Sequence, residues 1–165
     1  MNITKRTRKY THFAGMLLTL LFLQSCNAGL KHTPKNPVAP PRDQITLGNG
    51  ERSNIMAEGM TQDGATFTFK EVNIEGNGWL VLHPFKEGRP HGVVYVGSTY
   101  VKHGTNKNVS ITVKDMPKPG ENYLVMLHWD VDQDKNFDFG DGITVPDAPL
   151  FEGTKMIAFP VKAHQ

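Results

Sequence analysis

Apolar and polar positions divide the chain into three stretches of different rhythm. Near the start, one apolar block at residues 13–23 follows a cluster of Lys5, Arg6, Arg8 and Lys9. Then comes a polar stretch spaced by Pro34, Pro37, Pro40 and Pro41. From Ile45 onward the chain consists of short apolar or alternating runs separated by turns. Residues 65–72 alternate, with Phe67 and Phe69 on one face and threonines on the other. Residues 79–83 and 93–96 are near-continuous apolar runs, and 99–101 extends the second after a break at Gly97. Residues 109–113 alternate cleanly. Residues 123–129 are apolar almost throughout, and 156–161 form the last run. Period-two alternation marks half-buried strands, and continuous runs rich in β-branched and aromatic residues mark strands covered on both faces. Glycine turns stand between them at Asp63-Gly64, Glu75-Gly76, Glu87-Gly88, His103-Gly104 and Pro119-Gly120, with Gly76 and Gly78 reading as a hairpin. No window keeps a 3.6-residue period over about ten residues. The expectation is an all-β domain over residues 45–165: an antiparallel β-sandwich of about seven strands with an Ig-like or cupredoxin-like outline. A small closed barrel is the alternative.

The first stretch predicts export. An apolar block of 11 residues is too short to span a bilayer, which takes about 20 residues. Behind a positive cluster it fits the core of a secretory signal helix. Leu23-Gln24-Ser25-Cys26 follows it and resembles a bacterial lipobox. That resemblance implies a signal peptide at residues 1–25, cleavage before Cys26, and acylation of its thiol. Two or three acyl chains anchor stably where one does not. Cys26 is the single cysteine of the 165 residues, so no disulfide partner competes for it. Residues 26–44 then form a lipidated, proline-stiffened tether. Asn27 follows the lipidated position, where an Asp is the known inner-membrane retention signal of enteric bacteria. Outer-membrane sorting is therefore favoured where the cell has an outer membrane.

Charge narrows the partners. The chain has 18 Lys+Arg and 16 Asp+Glu, but the signal segment holds four of the basic residues. From Gln44 onward, 11 basic residues face 15 acidic ones. A nucleic-acid-binding domain carries a basic footprint, so that class is excluded.

The densest candidate chemistry is Asp130-Val131-Asp132-Gln133-Asp134-Lys135-Asn136-Phe137-Asp138-Phe139-Gly140-Asp141-Gly142. Counted from Asp130, an acid or amide stands at positions 1, 3, 5, 7, 9 and 12. A chain wrapping a hard cation has to offer an oxygen at every second residue, and Ca²⁺ takes six to eight oxygens. Asp130, Asp132, Asp134, Asn136, Asp138 and Asp141 are therefore candidate calcium ligands. The loop is not an EF-hand. Lys135 replaces the turn glycine, Asp141 replaces the closing Glu, and a strand rather than a helix leads in. A solvated acidic turn is the other reading of the same residues. If calcium binds, a structural role at about 10⁻⁴–10⁻³ M is expected, as in extracellular modules.

His83 and His128, each near the end of a predicted strand, are a second candidate metal pair for copper or zinc. Ordinary strand histidines with ordinary hydrogen bonds are the alternative. A blue-copper site also needs a Cys thiolate, which the domain lacks. The sequence contains no Gly-x-Ser-x-Gly elbow, no His-Glu-x-x-His and no phosphate-binding glycine loop. It therefore offers no catalytic residues, and a non-enzyme is expected.

Three stretches together resemble an uncharacterised prokaryotic cell-surface domain. They are Asp63-Gly64 through Gly78-Trp79-Leu80-Val81-Leu82-His83; Val93-Val94-Tyr95-Val96-Gly97 through Asn108-Val109-Ser110-Ile111; and Leu124-Val125-Met126-Leu127-His128-Trp129-Asp130 through Val145-Pro146-Asp147-Ala148-Pro149. The resemblance spans roughly residues 55–161. It implies a β-rich, secreted or lipid-anchored domain with no assigned activity. His83, His128 and the loop 130–138 match its pattern, while Lys135 stands where many relatives have Gly.

The leading expectation is a lipid-anchored, non-catalytic interaction or structural module of the cell envelope, stabilised by calcium at the acidic loop. Its partner would be an envelope protein or glycan. A periplasmic copper- or zinc-handling protein is one alternative. A carbohydrate-binding module is another, and it requires Tyr95, Tyr100 or Trp129 to lie exposed on a sheet face.

Overall fold

The structure is a computed structural model, described here for residues 39–139 and 147–164. Cys26, the signal segment and Asp141 lie outside these residues. The chain enters through a single 3₁₀ turn at Arg42–Gln44. Twelve strands follow among the described residues: β1 Thr46–Leu47, β2 Asn54–Ile55, β3 Thr61–Asp63, β4 Thr66–Ile74, β5 Gly78–Lys86, β6 Arg89–Pro90, β7 Gly97–Val101, β8 Gly104–Thr112, β9 Asn122–Trp129, β10 Phe151–Glu152, β11 Lys155–Met156 and β12 Ala158–Lys162. No helix among the described residues is long and apolar enough to cross a membrane.

Two antiparallel sheets form a sandwich. In the first, β4 pairs with β8 along one edge and with β2 and β3 along the other. In the second, β5 lies between β9 and the β7 and β6 segments, and β12 closes the far side of β9. A small third sheet runs β1-β11-β10, with β1 and β11 parallel. On β4 Phe67 and Phe69 alternate inward, and beyond the unpaired Lys70 the alternation resumes one residue out of step with Val72 and Ile74 inward. They meet Leu80, Leu82, Val125, Leu127 and Trp129 from the facing sheet in one core cluster. The outward threonines and serines of β4 and β8 pair across the strands, Thr66 with Thr112 at 2.9 Å and Thr68 with Ser110 at 2.8 Å.

Several local expectations change. Residues 93–96 are not a strand. They approach β7 with Val93, Val94 and Tyr95 exposed and Val96 packed on the core, and β7 begins at the glycine read as a break. The Glu75-Gly76-Asn77 turn is not a hairpin, because β4 and β5 belong to different sheets and the turn carries the chain across the sandwich. Strand β8 starts five residues before the alternating run, because Thr105, Asn106 and Lys107 pair through their backbones while presenting polar side chains.

The entry segment is clipped to β10 by one carboxylate. Glu152 accepts the backbone N–H groups of Glu51, Arg52 and Ser53 at 2.7–3.1 Å. Hydrogen bonds to a charged acceptor contribute about 1.5–3 kcal/mol. Glu152→Ala is expected to cost about that much. Urea unfolding should show a lower midpoint at unchanged slope.

Candidate metal centre on the outer face of the second sheet

The outer face of the β5–β9 pair is buried, although such a face in a two-sheet sandwich is commonly solvated. Leu124, Met126 and Ala158 form a small second cluster there, with Phe85 and Met156 packed against it. Residues shortly after β9 lie over this face, and Pro149 bridges His128. Aromatic side chains cover the sheet. Phe137 meets Trp79 at 5.4 Å, Tyr95 at 4.9 Å and His128 at 5.3 Å between ring centroids. Phe139 meets His128 at 4.7 Å and His83 at 5.6 Å.

Under this cover lie the two histidines. The register sets Trp79 opposite His128, Val81 opposite Met126 and His83 opposite Leu124. The histidines are thus two rows apart on one face, and their side chains converge along the sheet. Their Nε2 atoms lie 3.2 Å apart. The ring planes differ by 21° and the centroids are 5.4 Å apart. The two ring radii account for nearly all of the difference between those distances, so the rings meet edge to edge along their Nε2 atoms. Each Nδ1 points to a backbone carbonyl, His83 to Val94 at 2.8 Å and His128 to Asp147 at 2.8 Å. Burial lowers the pKa of both, that of His128 to about 3, and His83 adds to the lowering at His128.

The acidic loop starts at the end of the same strand. Gln133 and Lys135 adopt φ of 61° and 62°, the left-handed conformation that favours glycine. Lys135 thus takes the turn conformation despite its side chain. Alternate left-handed residues turn the intervening side chains to one side. Asp134 N–H donates to Asp132 at 3.4 Å and Asn136 N–H to Asp134 at 2.7 Å. Oxygens of Asp130, Asp132 and Asp134 come within 4.8 Å of one another. Asp130 is 1% exposed; the Tyr100 hydroxyl is directed at its carboxylate, with no donor in full hydrogen-bond geometry on either oxygen. Burial first, then the hydroxyl–carboxylate contact and the charge of Asp130, raise the Tyr100 pKa.

Three of the six loop residues expected from the sequence therefore converge. Asn136 and Asp138 instead fasten the loop: the Asn136 amide donates to Asp138 at 2.8 Å, and Asp138 N–H donates to Asp147 at 2.7 Å. Asp147, which the spacing argument omits, is fully buried. One of its carboxylate oxygens takes the Asp138 N–H and the other has no partner. Burial raises its pKa to about 7, and the charges of Asp130, Asp132 and Asp134 add to the rise. The signal available in the sequence was one acid inside Val145-Pro146-Asp147-Ala148-Pro149, a context otherwise suited to burial. Through its backbone carbonyl on His128, Asp147 also joins the acidic cluster to the histidine pair.

The aromatic side chains singled out for a glycan platform differ in exposure. Trp129 is buried in the core. Tyr100 is half-buried against Trp79 at 5.1 Å. Tyr95 is more exposed, but its ring packs on Phe137.

No curated protein and no solved structure matches the chain. Residues 53–161, which hold both main sheets, the histidine pair and the acidic loop, match a domain of unknown function, DUF7282, and the chain belongs to that family.

Proposed function

We propose that this chain is a non-catalytic, lipid-anchored interaction or structural module of the cell envelope, whose aromatic-lined loop is closed over the β5–β9 sheet by calcium. One observation carries the calcium part. Asp130 is buried with only the Tyr100 hydroxyl directed at it and no donor in full hydrogen-bond geometry, beside Asp132, Asp134 and the buried Asp147. Buried carboxylates short of partners are costly, and like charges at this spacing oppose one another. A divalent cation with oxygen ligands answers both. The anchoring part rests on the signal pattern ending at Cys26.

Thermal melting of the full chain in detergent tests the calcium part. Ca²⁺ added after EDTA should raise the melting temperature, by the equivalent of about 2.7 kcal/mol at a hundred times the dissociation constant. Asp132→Asn and Asp134→Asn, both at exposed positions, should abolish the rise. A melting curve indifferent to Ca²⁺ would remove calcium from the proposal. In cells, Cys26→Ser should move the protein out of the membrane fraction.

A further inference from the structure

The histidine pair poses a proton-counting problem that the calcium reading does not address. The line from the Val94 carbonyl through both rings to the Asp147 carbonyl contains three short polar contacts, at 2.8, 3.2 and 2.8 Å. A carbonyl oxygen only accepts, so both Nδ1 atoms must carry hydrogen. In a neutral imidazole the other nitrogen is then a lone pair. Two neutral rings therefore aim lone pairs at one another across 3.2 Å. His83 and His128 are 1% and 0% exposed, and Phe137 and Phe139 pack their edges. The contact needs something positive at the two Nε2 atoms, either a shared extra proton or a metal ion.

We propose that His83 and His128 form a second metal site, taking one Cu⁺ or Zn²⁺ ion through their Nε2 atoms. Both rings already have the outer hydrogen bond that metal-binding histidines make, with the non-ligating N–H held by a backbone carbonyl. Two nitrogens on one tetrahedral ion at the usual bond length lie about 3.3 Å apart, close to the separation here. The rings need only turn their nitrogens off the common line toward one point on the same side. Imidazole nitrogen suits copper and zinc and is a poor match for calcium. Met126 occupies the row between the two histidines on this face, and a thioether reaching the ion from there would favour Cu⁺. The neighbouring carboxylates offer oxygens only. The two sites therefore sort ions by hardness, joined through Asp147.

The test uses the full chain in detergent, stripped with EDTA and offered Cu⁺ under a reducing, chelator-buffered atmosphere, or Zn²⁺. Retained metal is measured after desalting. X-ray absorption then reports the ligands. The expected result is one equivalent of either ion with two imidazole nitrogens in its shell. His83→Gln and His128→Gln should weaken retention by more than about 100-fold, beyond what losing an outer-shell partner costs. These buried variants can fail to fold, so nitrogen NMR of the unmodified chain is the second measurement. Metal binding should shift both Nε2 resonances while both Nδ1 protons persist. Asp132→Asn should retain the ion, which separates failure of this site from failure of the calcium loop. Folded protein that retains neither ion, or a proton shared between the Nε2 atoms that added metal does not displace, would overturn the proposal.

Discussion

Gly78→Ala is expected to be among the most damaging single substitutions in the domain, costing at least about 3 kcal/mol, the upper part of the range for overpacked sites. Gly78 opens β5 and pairs with both Val101 and Trp129. A Cβ there would stand 2.1 Å from the His128 carbonyl oxygen and 2.8 Å from Ile74 Cδ1. The Ile74 methyl can swing aside. The carbonyl cannot move without moving β9. Relief therefore means parting β5 from β9 at the end where His128 and the acidic loop sit. The melting temperature should fall by about 10 °C or more for a domain of this size. Metal retention at the histidine pair should fall with it, because the His128 backbone is displaced. Gly92→Ala is the control. Nothing lies within 4 Å of a Cβ at that position, and its change should stay within about 0.5 kcal/mol.

Gly78 also shows where reading the sequence stops. The strands around it were legible because their periodicity is local: Phe67 and Phe69 alternate on β4, and the unbroken run on β9 announces a strand buried on both faces. Which strand lies beside which was not legible. Gly76 and Gly78 read as a hairpin, whereas the chain crosses between sheets there and β5 takes β9 and β7 as neighbours. Contact between His83 and His128 depends on that non-local register, across 45 residues of sequence. No spacing rule supplies it. Residues 93–96 misled for a related reason. Their apolar side chains suit a strand, but their position is fixed by what they approach, and Val94 serves through its backbone carbonyl on His83. The acidic loop was legible as far as its alternate oxygens. Asn136 and Asp138 became fasteners, Asn136 through its amide on Asp138 and Asp138 through its N–H on Asp147. The buried acid came instead from Asp147, beyond the spacing of any single turn.

Asp147 leads to the second large effect, on the pH dependence of stability. Its pKa is raised from 3.8 to about 7 in the folded chain. A raised carboxyl pKa means that the folded state binds the proton more tightly than the unfolded state does. Its contribution is fully present below the unfolded value and is lost as pH rises through the folded one. Metal-free protein is therefore expected to become less stable between about pH 4 and pH 7, and Asp147→Asn should flatten that slope. Calcium reverses the logic. A bound cation favours the ionised carboxylate, so with Ca²⁺ present the loss across the same interval should shrink or change sign. Urea unfolding at pH 4.5 and 7, with EDTA and with Ca²⁺, reads both effects on one chain. A slope that is the same in EDTA and Ca²⁺ would show that Asp147 does not sense the cation. A slope that is the same in Asp147→Asn and the parent chain would show that another group carries the titration. If both changes appear, the acid most deeply buried under the loop is the one coupled to its closure, and its backbone carries that coupling to His128.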